Sequence, residues 1–314
     1  MVKYSLLSLV LSCLVWSSAP AQVVVLGTKD GGRIAGLNFA PGDLVRYDMD
    51  SGTASLFHSE SIFDDIGSEM DLDALHVLED GSFAFSSRLT ISFDDQAYIP
   101  REVVVLDPLR TEVTQLYRGP NDIAGFDILP NGNYLLTTKV NTTIGGQDYV
   151  TGDVIQYNPD TDESSLFFSN SNFFTIGEGG SWPKGNIDAI EVLPNGNMLF
   201  STTNTAEIGT TVDNAVTVFQ AGVYEYNFLT GSVTTFLDPS VFQANSPDLK
   251  AFSVLLPPAL LGDCNADGTV DFFDVAVWLE VLILDIYLPQ ADCNLDGEVN
   301  FWDIVPFLAI LTDD

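Results

Sequence analysis

One strand–turn–strand unit recurs along the chain, and nothing else in the sequence limits the fold as strongly. It reads Leu72-Asp-Ala-Leu-His-Val-Leu-Glu-Asp-Gly81, then Ile123-Ala-Gly-Phe-Asp-Ile-Leu-Pro-Asn-Gly132, then Ile187-Asp-Ala-Ile-Glu-Val-Leu-Pro-Asn-Gly196. Asp-Gly and Asn-Gly between apolar runs are strong hairpin signals. A second unit occurs four times, as Leu44-Val-Arg-Tyr-Asp48, Val103-Val-Val-Leu-Asp107, Val154-Ile-Gln-Tyr-Asn158 and Val223-Tyr-Glu-Tyr-Asn227. Each is followed by a turn and a strand ending near Phe57, Leu116, Phe167 or Phe236. Together the two units predict a four-stranded meander with a longer loop between strands two and three.

The ends of this region complement each other. It opens on a second-strand run, Val23-Val-Val-Leu-Gly27, with no first strand before it. It closes on a lone first strand, Leu249-Lys-Ala-Phe-Ser-Val-Leu255. Joining the two completes a sheet and leaves no orphan edge. The expected architecture is therefore mainly β: a four-bladed β-propeller over 22–256, closed by N- and C-terminal strands. A β-sandwich or an open array leaves the matching ends unexplained.

The first strand of each blade would line the axis. Just ahead of it stand Asp71, Asp122, Asn186 and Asp248, one oxygen-bearing side chain per repeat. In a closed ring these could converge on a channel cation, although Asp and Asn also simply begin strands and end turns. Asp73 and Asp188 lie two residues further on. Ala124 and Lys250 break that second ring, and Lys250 could neutralise it from within. His76 takes the place of Asp127, Glu191 and Ser253 in the other repeats, which suits a packed or channel-facing side chain. No Gly-x-Ser-x-Gly elbow, cysteine nucleophile or phosphate-cradling loop occurs. Trp182, within the glycine-rich stretch Gly177–Gly185, could stack on a sugar ring or cover the propeller face.

A different duplication ends the chain. Asp-x-Asn-x-Asp-Gly appears at 263–268 and again at 292–297, each copy running into an apolar, helix-like segment (272–284 and 301–311). The first loop offers Asp263, Asn265, Asp267, Asp271 and Asp274 at positions 1, 3, 5, 9 and 12. The second offers Asp292, Asn294, Asp296, Asn300 and Asp303, and Thr269 and Glu298 would each add a backbone carbonyl at position 7. Hard oxygen ligands at this spacing, with a turn glycine at position 6, suit Ca2+, one ion per loop. From Asp263 onward there are twelve acids and no Lys or Arg. A unit this small buries little core, so two bound Ca2+ ions are expected to be required for it to fold.

These residues resemble a type I dockerin, and Asn300-Phe301-Trp302-Asp303-Ile304-Val305-Pro306-Phe307-Leu308 is similar to the second repeat of planctomycete-type dockerin-like modules. The resemblance covers about a sixth of the chain, residues 262–314. It implies a small helical calcium module that docks on a cohesin-like or other surface or scaffold partner. Cohesin-reading dockerins carry small polar residues at positions 10 and 11; here those places hold Phe272, Phe273, Phe301 and Trp302. These aromatics form either a partner contact or the module's own core, with about half expected in the core. Cys264 and Cys293 both occupy loop position 2, and their spacing leaves a disulfide or two free thiols equally open.

The chain opens with Lys3, an apolar run from Leu6 to Trp16 and a small-residue Ala19-Pro20-Ala21 site. This pattern reads as a secretory signal peptide over 1–21 and predicts a secreted protein, one that its partner could hold at the cell surface. Residues 257–261 read as a short Pro-rich linker. A net charge of −33 argues against nucleic acid and anionic membrane surfaces. The expectation is a non-catalytic binding protein. The alternative is a carbohydrate-active enzyme or lectin with a glycan at the propeller face, an analogy with the usual cargo of dockerins.

Overall fold

The computed structural model describes residues 22–59, 72–78, 80–172, 186–208, 216–243, 247–255, 261–264, 270–284, 291–294 and 299–311. The expected signal segment, residues 257–260 of the expected linker and the Trp182 stretch lie outside them. The chain divides into two compact units, one spanning Val23–Leu255 and the other holding the segment from Leu256 onward.

The first unit is a four-bladed β-propeller built from four antiparallel four-stranded sheets. Blade two runs Leu72–Val77, Phe83–Ser87, Glu102–Leu106, Val113–Arg118 from axis to rim. Blade three runs Ile123–Ile128, Tyr134–Thr138, Val154–Asn158, Glu163–Phe168. Blade four runs Ile187–Val192, Met198–Thr202, Val223–Tyr226, Val233–Leu237. Blade one is composite. Its inner strand is Leu249–Leu255, from the far end of the unit, and Val23–Thr28, Leu44–Asp48 and Thr53–His58 complete it. Val25 pairs with Ser253 on one side and with Arg46 on the other, so the closure expected from the two ends is the one observed.

Burial explains why the second strands carry apolar side chains on both faces. Val24 and Leu26 pack with the fourth blade, while Val25 packs with the second. Four apolar clusters result, one at each contact between neighbouring blades. Each fully buried Val or Leu contributes about 1.5–3 kcal/mol, so strands covered on both faces carry most of the driving force.

Two local features add detail to the sequence expectation. The turns at Asp80-Gly81, Asn131-Gly132 and Asn195-Gly196 are longer than two-residue hairpins. In each, the glycine N–H donates to a carbonyl three residues back, and the Asp or Asn side chain accepts from the residue after the glycine. Only the glycines take positive φ, as in a type I turn ending in a glycine bulge. The loop between strands two and three is a two-stranded hairpin in every blade: Gly32–Ile34 with Leu37–Phe39, Ile91–Phe93 with Gln96–Tyr98, Thr142–Ile144 with Gln147–Tyr149, and Ala206–Ile208 with Val216–Val218. In the first three the central pair (Ala35-Gly36, Asp94-Asp95, Gly145-Gly146) has positive φ at both residues, the hallmark of a type I′ turn.

The second unit holds helices Asp274–Leu284 and Ile304–Leu311, the latter preceded by a 3-10 turn, Phe301–Asp303. Pro306 is accommodated in the first turn of its helix, where its missing N–H costs nothing. The described core is Cys264, Trp278, Ala291, Cys293 and Phe307. Trp278 stacks on Phe307 with ring centroids 5.5 Å apart, and its Nε1–H donates to the Ala291 carbonyl.

Candidate functional site

The inner strands of all four blades meet around the axis, and a β-bulge shapes each of them. Leu72 pairs with Ser87 and Ala74 with Ser86, which leaves Asp73 as an extra residue. Ala124, Asp188 and Lys250 are the extra residues of the other three blades. A bulge re-aims one side chain without disturbing the rest of the ladder. Ala74, Gly125, Ala189 and Ala251 follow, and these small residues let four strands approach closely. A Cβ at Gly125 would stand 3.0 Å from Thr137 Oγ1 and 3.3 Å from Ala189 Cα.

The bulged residues meet lysines. Lys250 Nζ lies 2.7 Å from Asp188 and 2.9 Å from Asp248, and Lys139 Nζ lies 2.5 Å from Asp73 and 3.7 Å from Asp122. Two of the residues expected to gather a channel cation, Asp122 and Asp248, are thus neutralised by side-chain ammonium groups. The role anticipated for Lys250 is seen, and Lys139, which the sequence reading passed over, does the same. Asn186 accepts the Thr203 N–H through its backbone carbonyl. Asp71 lies outside the described residues. Burial raises the Asp73 carboxyl to about 7 and the Asp188 carboxyl to about 6, because loss of water outweighs the nearby lysine. Burial pushes Lys250 down, but its two aspartates push it further up, for a net rise.

Lys139 belongs to a second ring. The residue just past the second strand is Lys29, Arg88, Lys139 and Thr203 in blades one to four. Their placement is repeated: Lys29 N–H donates to Asp248 O, Lys139 N–H to Asp122 O and Thr203 N–H to Asn186 O. One residue earlier, the hydroxyls of Ser87, Thr138 and Thr202 each donate to the carbonyl two residues on, which turns the chain outward. A cavity of about 320 Å3 lies where these strand ends meet the starts of the inner strands, and Lys29, Arg88, Lys139, Lys250, Asp188 and Thr203 line it.

Further along the axis a polar belt ties the blades together. Asp127 accepts from Val192 N–H, Glu191 from Val254 N–H, and Ser253 Oγ from Val77 N–H. His76 Nδ1 lies 2.8 Å from Asp127 Oδ1, at the edge of this belt. Burial, then the neighbouring Asp127, pushes the Glu191 carboxyl well above its ordinary range.

In the C-terminal module the ends of both loops are described and their middles, with Asn265, Asp267, Thr269, Asp296 and Glu298, are not. The two loops match atom for atom where they can be compared. Asp271 N–H donates to Asp274 and Phe273 N–H to Asp271; Asn300 N–H donates to Asp303 and Trp302 N–H to Asn300. Positions 9 and 12 therefore form a capping box at each helix start, a second use of these residues that the loop motif alone did not reveal. Asp303 also accepts from Asn294 N–H, drawing position 3 towards position 12. Asp263 and Asp292 are buried, and Asp274 and Asp303 are 0% exposed. The segment from Asp263 onward has no Lys, Arg or His, and among the described residues no group of three or more His, Cys, Asp or Glu side chains is placed to hold a metal ion.

Of the two states left open for Cys264 and Cys293, the structure has no disulfide: both are buried thiols that take part in the apolar core. One expectation about this module is corrected. Phe272, Phe273, Phe301 and Trp302 are all exposed, Phe272 at 78% and Trp302 at 79%, so none forms core. Trp278 and Phe307 fill the interior instead, because positions 10 and 11 precede the helix and face outward while its later turns face inward.

No protein-family model matches the chain, and no curated protein sequence does. Similar solved structures include a chain from a nidogen/laminin complex, 9% identical, covering 74% of this chain and 98% of that one at a TM-score of 0.37. A protein from Lactobacillus plantarum is 9% identical over 75% of this chain and 99% of its own, at 0.37. A catalytically inactive virginiamycin B lyase from Staphylococcus aureus, with quinupristin, is 11% identical over 73% and 77%, at 0.34. At these scores the strand pairing, rather than the likeness, establishes the four blades.

Proposed function

We propose that the chain is an exported, non-catalytic binding protein. Its propeller presents a ligand site, and its C-terminal module takes up two Ca2+ ions and docks, as the dockerin resemblance implies, on a surface or scaffold partner. One observation carries the calcium step. The first and last carboxylates of both loops are buried in a module that has no basic side chain of its own. Bound Ca2+ would compensate that charge and fix the two helix starts. Phe272, Phe273, Phe301 and Trp302 would then form a duplicated aromatic surface at the outer ends of the loops, suited to a desolvated partner contact.

Calorimetric titration of residues 22–314 with Ca2+ tests this directly. Two ions per chain are expected, and D274N/D303N should weaken uptake by about 100-fold. Absence of Ca2+ uptake by the intact chain would overturn the calcium step. For docking, a partner from the cell-surface fraction should be retained by residues 22–314 in calcium. It should be lost with chelator or when the chain ends at 258. A partner retained equally by both chains, in calcium and in chelator, would overturn the docking role and place the interaction on the propeller.

A further inference from the structure

A chain with four times as many acids as bases places four of its bases at one site. The whole sequence has 11 Lys and Arg residues against 44 Asp and Glu. Four of those bases, Lys29, Arg88, Lys139 and Lys250, line the 320 Å3 cavity, and among the described residues Asp188 is the one acid that lines it with them. Asp188 and Asp73 are themselves wholly buried, while Lys139 and Lys250 keep partial exposure. The aspartates therefore act as supports: each holds an ammonium group in place, and each ammonium retains N–H bonds for a ligand. Three of the four blades carry a cation at the same strand end, and the backbone bond that sets this position is shared by Lys29, Lys139 and Thr203.

We infer that this cavity is a binding site for a small hydroxylated organic anion of about monosaccharide size. The described lining holds four cations to one acid; Asp73, Asp122 and Asp248 offset Lys139 and Lys250 from beside it, which leaves Lys29 and Arg88 to draw an anion in against the net field of the molecule. Its volume sits at the lower end of the range for small-molecule sites, about 300–1,000 Å3. Thr203 and Asn186 add polar groups beside the lysines. A carboxylate and a phosphate ester share this chemistry. The site lies wholly in the propeller, so anion binding there does not depend on calcium docking.

The test is calorimetry on residues 22–314 with glucuronate, glucose 6-phosphate and glucose, in calcium and in chelator. At least one anion should bind with Kd below about 1 mM. Glucose should bind at least about ten-fold more weakly, and the result should be the same in chelator. K29A/R88A leaves the buried Asp–Lys pairs intact and should weaken anion binding by about ten-fold or more. T203K places a fourth cation at the equivalent position and should tighten it several-fold. Glucose binding as well as the anions would overturn the inference. So would no anion binding at about 10 mM, or anion affinity unchanged in both K29A/R88A and T203K.

Discussion

Asp73 and Asp188 show how a propeller axis tolerates charge. Each carboxylate is wholly buried and each has a lysine within hydrogen-bonding distance, yet burial still lifts both well above the ordinary range. The sign of the consequence follows from linkage. A carboxyl whose pKa is raised on folding adds its full stability below the unfolded pKa of about 4 and loses it as pH rises through the folded value. The propeller should therefore lose about 2–4 kcal/mol between pH 5 and 7.5 that D73N/D188N does not lose. Urea unfolding at the two pH values reads this difference, and parallel pH profiles would refute it. Gly125 sets a steric limit at the same axis. G125V should cost about 1–3 kcal/mol by forcing the inner strands apart, seen as a lower urea midpoint with an unchanged slope. The Asp–Lys pairing was half legible in the sequence, since Lys250 stands in a row with Asp73 and Asp188. Lys139 was not, because it lies on another strand and only the bulge brings Asp73 to it.

At the scale of the element, turns and bulges decide what the strands alone do not. A single inserted residue in each inner strand leaves apolar alternation almost intact, so the bulges at Asp73, Ala124, Asp188 and Lys250 left no periodic trace. The hairpins between strands two and three were missed for a different reason. Each strand is only three residues long, and just one of the three described turns carries the Gly-Gly pair that marks a type I′ turn. Asp94 and Asp95 occupy that turn with φ of 47 and 64, a left-handed conformation that is costly for residues with a Cβ. D94N/D95G should relieve it and stabilise the propeller by about 0.5–1 kcal/mol, checked by the thermal midpoint. In the calcium module the loop motif was legible and the capping role of Asp271, Asp274, Asn300 and Asp303 was hidden beneath it, because one set of oxygens serves both.

At the scale of the whole molecule, two compact units differ in what holds them together. The propeller has four apolar clusters and a hydrogen-bonded closure; the module has one small cluster and a set of buried carboxylates. Differential scanning calorimetry should show two transitions. Chelator should lower the smaller one, and D274N/D303N should remove that sensitivity while leaving the larger transition unchanged; one merged, chelator-insensitive transition would contradict this. The propeller was the most legible part of the chain, because a missing strand at one end and a spare strand at the other admit few other solutions. Their pairing also governs timing. Val23–Thr28 leaves the ribosome early, and its partner Leu249–Leu255 leaves only after every other blade has been made. Blade one cannot form until its inner strand has been made, so the ring stays open until the last propeller residue arrives.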